Sequence, residues 1–158
     1  MSYIFFDVLR RYLEYQGYQV DHVQNFTDID DKIIQRAIEK DITVQELSQV
    51  YIDNYFTDLD ALNVMRANSY PRATQEIPRI IGIIAALMEK DYAYIADCDV
   101  YFRVSMFDGY GKLGHRSLDS MIAGARVEIA DKKDDPMDFA LWKAAKIGEP
   151  AWESPWGL

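Results

Sequence analysis

The sequence predicts an α/β fold, and three observations carry that prediction. Apolar side chains recur at helical spacing in four stretches of the first 90 residues. Runs rich in aromatic and β-branched residues lie at 18–26, 92–104, 126–130 and 139–143. Glycine, proline and a capping box punctuate the change from one pattern to the other.

Taken in order, the first element is a helix. Ile4, Phe5, Val8, Leu9, Tyr12 and Leu13 form one stripe and leave Arg10, Arg11 and Glu14 outside it. Gly17 is suited to end it. Tyr18 to Phe26 is expected to be a strand, and helix, glycine, strand suggests an α/β crossover unit entered part-way through. Asp28 to Lys40 predicts a second helix with Asp28, Asp30 and Asp31 in its first turn, where the helix dipole favours negative charge. Its inner stripe is Ile33, Ile34, Ala37 and Ile38. Thr43 and Glu46 form a capping box that opens a third helix. Leu47, Val50, Tyr51, Tyr55, Leu59 and Leu62 are its expected inward side chains. Tyr70-Pro71 breaks the pattern. Thr74 is expected to cap a fourth helix with Ile77, Ile80, Ile81, Ile84, Leu87 and Met88 as its stripe.

The character then changes. Tyr92–Ile95 and Val100–Val104 read as a hairpin around Asp97-Cys98-Asp99. A short helix is expected at Ser117–Ile122, a strand at Arg126–Ala130, a charged loop at Asp131–Asp138 and a strand at Phe139–Lys143. The tail, Ala145–Leu158, is expected to be a loop with Trp152, Trp156 and Leu158 exposed and in need of a packing surface. With a start on a helix and an end on bare tryptophans, the chain reads as cut at both ends.

Composition excludes several classes of function. The 158 residues suit one domain and are 49% hydrophobic, too apolar for a disordered chain. The longest apolar run, Ile80–Met88, is far shorter than the roughly 20 residues that span a bilayer, and no signal peptide is expected. A cytoplasmic location is expected, with no membrane partner. Net charge is −9. Residues 1–60 carry 5 basic and 12 acidic side chains, and residues 61–158 carry 12 and 14. No broad basic face is available for non-specific nucleic-acid binding, and no DNA partner is expected.

Bottom-up, no self-sufficient catalytic set emerges. His22 and His115 are far apart and read as strand surface and loop, not as metal ligands. Cys98, the single cysteine, lies between two aspartates, which disfavour a reactive thiolate, and reads as incidental. Asp28, Asp30 and Asp31 could hold magnesium, but helix capping is the preferred reading. Gly109, Gly111 and Lys112 hint at a phosphate loop without the full spacing of one. No catalytic residue and no metal ligand is assigned.

Several ordered motifs resemble one family. Asn25-Phe-Thr27-Asp28-Ile-Asp30-Asp31-Lys32-Ile33 closely resembles the N-x-T-D-x-D-D-K-I motif of the cysteinyl-tRNA synthetases. Phe139-Ala-Leu-Trp142-Lys143 and Trp152-Glu-Ser154-Pro155-Trp156-Gly157 resemble that family's D-F-x-L-W-K and W-x-S-P-W-G segments. Asp99–Phe102, Tyr110–Leu113 and Ala123–Glu128 resemble it in the right order, and Tyr3–Leu13 resembles the helix after its HIGH signature. The related mycothiol-pathway cysteine ligase tends to read D-P-L where this chain reads Asp31-Lys32-Ile33, which favours the tRNA enzyme.

The resemblance implies a Rossmann-like class I synthetase core interrupted by an inserted α+β connective domain. Residues 1–64 would belong to the first Rossmann half, 65–138 to the insertion, and 139–158 to re-entry into the core. The implied activity is ATP-dependent activation of cysteine and its transfer to tRNA(Cys). ATP with magnesium, and a zinc ion that recognises the substrate thiolate, are the implied cofactors of the full-length family; soft sulfur suits zinc better than a hydroxyl does. Thr27 would border the amino-acid pocket, with Asn25 and Asp28 beside it, at the carboxyl end of the strand where open α/β sheets bind ligands. The other role open to Thr27 is a helix N-cap. The HIGH and K-M-S-K-S signatures and the family's zinc cysteines have no counterpart here. The chain alone is therefore expected to retain no cofactor and to be inactive. The alternative functions are a non-catalytic tRNA- or protein-binding module, or a piece of the mycothiol-pathway ligase.

Overall fold

A computed structural model describes residues 2–115 and 132–158. They form a mixed α/β structure with four α-helices and one three-stranded antiparallel sheet. Two compact units divide the chain, Met1–Ile77 and Pro78–Leu158. The helix expected at 117–122 and the strand at 126–130 lie outside the described residues.

In the first unit, α1 (Ser2–Tyr15) forms, but its predicted stripe does not face inward: Ile4, Phe5, Val8, Leu9 and Tyr12 are exposed, and Asp7 is its buried residue, because this unit meets the helix through the hydrogen bonds of Asp7, Arg10 and Arg11. The helix ends before Gly17, whose φ of +89° is left-handed backbone that glycine enters without strain. Three hydrogen bonds tie α1 to the loop after α3. Arg10 and Arg11 donate to the carbonyls of Arg66 and Asn63, and the Met65 N–H donates to Asp7 at 2.9 Å. Helix α2 (Asp31–Glu39) starts three residues later than expected, because Asp30 takes the N-cap and accepts the Ile33 N–H at 2.7 Å. Ala37 is its buried residue and Ile38 faces out, contrary to the predicted stripe.

Helix α3 (Val44–Ala61) opens on the predicted capping box, with Thr43 and Glu46 satisfying each other's backbone N–H groups. Its buried face is Leu47, Ser48, Ile52 and Leu59. Val50, Tyr51 and Leu62, expected inside, are exposed. The face is set by what α3 packs on: Leu47 and Ile52 are buried with Ala37 of α2, and Tyr55 and Phe56 turn toward the ring of Phe26.

The strand expected at Tyr18–Phe26 is reduced to two isolated parallel bridges, Val23↔Ser69 and Phe26↔Arg72. Both bridges share one register. Gln24 N–H donates to Ser69, Phe26 N–H to Pro71, and Ala73 N–H returns to Phe26. The rung between them would need an N–H from residue 71 to the Gln24 carbonyl. Pro71 has none, so the ladder breaks there.

In the second unit, Ile84 of α4 (Ile77–Glu89) packs with Ala93, Val100 and Trp156 to form the core, flanked by Ile80, Ile81, Leu87 and Met88 as the stripe predicts. Thr74 does not cap α4; it sits in a separate 3-10 turn, Ala73–Gln75. The hairpin is β1 (Ala93–Ala96) and β2 (Asp99–Phe102), turning through Asp97-Cys98 with Asp97 at φ +57°. β3 (Phe139–Trp142) completes the sheet in the order β1-β2-β3. The tail is not a bare end. Trp156 is 9% exposed, set edge-on to Trp142, and the Ala145 N–H donates to the Leu158 carbonyl, closing the loop on itself. The sequence misleads here because the partner of Trp156 is a core some 60 residues away in the chain, built by α4 and β2.

Candidate functional site

A cleft of about 310 Å³ lies in the first unit and is lined by Asn25, Thr27 and Asp28 together with Tyr3, Tyr51 and Tyr55. The three residues singled out by the sequence motif are thus brought to one place. They are held there in different ways.

Phe26 and Asp28, on either side of Thr27, are fixed by hydrogen bonds. Phe26 exchanges two main-chain bonds with Pro71 and Ala73, at 2.8 and 3.1 Å. Its ring stacks on Tyr70 at 5.1 Å and meets Tyr55 and Phe56 edge-on. Asp28 is 7% exposed. Its Oδ1 accepts the Thr74 N–H at 3.0 Å and its Oδ2 accepts the Thr74 hydroxyl at 2.6 Å. Its carbonyl accepts the buried Ser48 hydroxyl at 2.7 Å. This arrangement continues the broken ladder by other means, since the carboxylate takes the next N–H of the 71–74 segment.

Thr27 and Asn25 are the opposite case. Both are exposed, and neither side chain has a hydrogen-bond partner among the described residues. Thr27 does not cap α2, because Asp30 does. Its hydroxyl is therefore free to meet a ligand at the cleft's edge. Deeper in, Gln24 Nε2 donates to the Tyr55 hydroxyl at 2.7 Å. Burial pushes the Tyr55 phenol up from its ordinary value, more than the Gln24 hydrogen bond lowers it. The hydroxyl stays protonated and remains a neutral polar group on an aromatic wall.

Residues that sequence reasoning missed are Tyr3, Gln24, Ser48, Tyr55 and Thr74. Ser48 and Thr74 reach Asp28 across 20 and 46 residues of chain, and no local pattern signals that. Metal ligation finds no support among the described residues: no three of His, Cys, Asp and Glu gather. His22 is half-buried in the first unit, and Cys98 is exposed in the second unit's turn.

The chain belongs to the tRNA synthetases, class I (C), catalytic domain, whose family model matches residues 1–158. It is similar to the cysteine–tRNA ligase of Dehalococcoides mccartyi, 59% identical over the whole chain and 35% of that protein. It is likewise similar to the cysteine–tRNA ligases of Desulforamulus reducens, 59% identical over 98% of the chain and 32% of the relative, and Geobacillus thermodenitrificans, 54% identical over 98% and 33%. The chain spans about a third of the length of these curated relatives. Their names favour the tRNA enzyme over the mycothiol-pathway ligase.

Proposed function

We propose that this chain serves cysteine–tRNA ligation: ATP-dependent activation of cysteine to its adenylate, then transfer to tRNA(Cys). The observation that carries the proposal is 59% identity over the full 158 residues to a cysteine–tRNA ligase. In this reading residues 1–64 are part of a Rossmann-like half-core, 65–138 are mostly a connective insertion, and 139–158 return to the core. Thr27 offers its hydroxyl to the amino acid, Asn25 lies beside it, and Asp28 completes the edge. The free hydroxyl of Thr27 and the exposed amide of Asn25 support that assignment.

The whole-protein reaction draws on ATP, magnesium and zinc. Zinc does not fit the residues described here, for want of three gathered ligands. The aspartate cluster does not gather for magnesium either: Asp28 is buried against Thr74, Asp30 caps α2, and no three acidic or metal-ligating side chains converge among the described residues. No step is derived through either ion. What these residues do is bind and orient: a rigid backbone at 26–28 presents one hydroxyl at the edge of an aromatic cleft.

The test is an exchange of segments. The 158 residues replace their counterpart in the Dehalococcoides mccartyi ligase, and cysteine-dependent ATP–pyrophosphate exchange and charging of tRNA(Cys) are measured. The hybrid is expected to use cysteine and to reject serine. A correctly folded hybrid that activates another amino acid, or none, refutes the proposal.

A further inference from the structure

We propose that Asp28 touches no substrate and is instead a positioning residue, which with Thr74 and Ser48 fixes the backbone that presents Thr27. This inference rests on the reading of the cleft as the cysteine site. Both carboxylate oxygens and the carbonyl of Asp28 are occupied, by the Thr74 N–H, the Thr74 hydroxyl and the Ser48 hydroxyl. The side chain is 7% exposed and each of its oxygens already accepts a bond from Thr74, so little of it is presented to the cleft. Thr27, its neighbour, has a free hydroxyl and an exposed side chain. The two residues divide the work: one anchors, one presents.

The anchor is needed because the ladder is weak. Between the two bridges the Gln24 carbonyl faces Pro71 and receives no N–H. Past Phe26 the backbone pairing ends, and the carboxylate of Asp28 takes the N–H of Thr74 in its place. Without that clamp, the 27–28 peptide would be held at Phe26 and by Ser48 alone.

The hybrid ligase described above provides the assay, with the KM for cysteine, the KM for ATP and kcat measured separately. Thr74→Val keeps the N–H bond to Asp28 and removes only the hydroxyl. It is expected to raise the KM for cysteine about tenfold with the KM for ATP unchanged, as Asp28→Asn does, and Thr74→Ser is expected to restore it. Because both variants loosen one clamp, the double variant should lose little more than either alone. A merely structural role lowers the active fraction, hence kcat, and leaves the cysteine KM in place; that result overturns the inference. So does a normal Thr74→Val beside a crippled Asp28→Asn, which would mean that the carboxylate meets substrate directly. Thr27→Val separates the two levels of the reading. If it leaves the cysteine KM unchanged, the cleft is not the cysteine site and both fall. If it raises the KM while Thr74→Val does not, only the positioning role falls.

Discussion

Asp30 receives the Ile33 N–H, so α2 has its cap without Thr27. That separates two roles which the sequence alone leaves on one residue. Thr27→Val in the hybrid ligase is expected to weaken cysteine activation by ~1–3 kcal/mol and to leave the unfolding free energy unchanged. Asp30→Ala is expected to do the reverse, with a stability loss of ~0.5–2 kcal/mol and activation spared. Adenylate formation and urea unfolding, measured on both variants, check this. The placement of Asn25, Thr27 and Asp28 on one cleft was reached in the sequence through the resemblance of the 25–33 motif, not through any local physical pattern. The different fates of its members were not legible. Whether a carboxylate is free or engaged depends on Thr74 and Ser48, which only the fold brings to it.

Among the elements, those with local causes were legible and those with distant causes were not. The capping box of α3 and the stripe of α4 are written within four and twelve residues, and both form as expected. The break in the ladder at Gln24 is decided by Pro71, a partner that periodicity cannot identify. The rotated face of α3 is decided by α2 and Phe26. Single side chains also hold elements together, with consequences for pH. Burial pushes the Asp7 carboxyl up, but the Arg11 guanidinium at 2.8 Å and the Met65 N–H outweigh it and hold it below its ordinary 3.8. The stabilisation is thus complete above the ordinary carboxylate range and is lost as pH falls through the lowered value. Asp7→Asn is expected to be less stable than the parent at neutral pH and to converge with it once the pH falls below the lowered Asp7 value. Urea titrations across that range decide the matter; parallel curves refute it. In the second unit the Tyr94 hydroxyl donates to Asp138, which is 1% exposed and also accepts the Val104 N–H. Burial, with the carboxylates of Asp138 and Asp134, pushes the phenol up to about 12 against the Asp134 N–H. This latch is intact below the ordinary tyrosine value of 10 and is lost as pH rises through about 12. Tyr94→Phe is expected to flatten the alkaline limb of the stability curve between those values.

For the molecule as a whole, apolar surface and acidity pull in opposite directions. Phe5, Val8 and Tyr12 lie at helical spacing along α1 and are 64%, 60% and 58% exposed. Such a stripe favours association, whereas a net charge of −9 opposes it. The 158 residues on their own are expected to self-associate as salt screens that charge, and Val8→Lys is expected to suppress it. Sedimentation at low and high ionic strength is the measurement; a monomer at both refutes the expectation. Among the described residues, no helix is long and apolar enough to cross a membrane.

Trp142, Trp152 and Trp156 are all the tryptophans of the chain, and all three fall within Pro78–Leu158. The edge-on pair of Trp142 and buried Trp156 lies in or against the core of that unit. Indole fluorescence is therefore a natural dye for one half of the chain and is blind to the other. Far-UV ellipticity has the opposite bias, because 41 helical residues belong to α1, α2 and α3. Recorded on one sample, the two signals are expected to give different denaturation midpoints, each reporting its own unit.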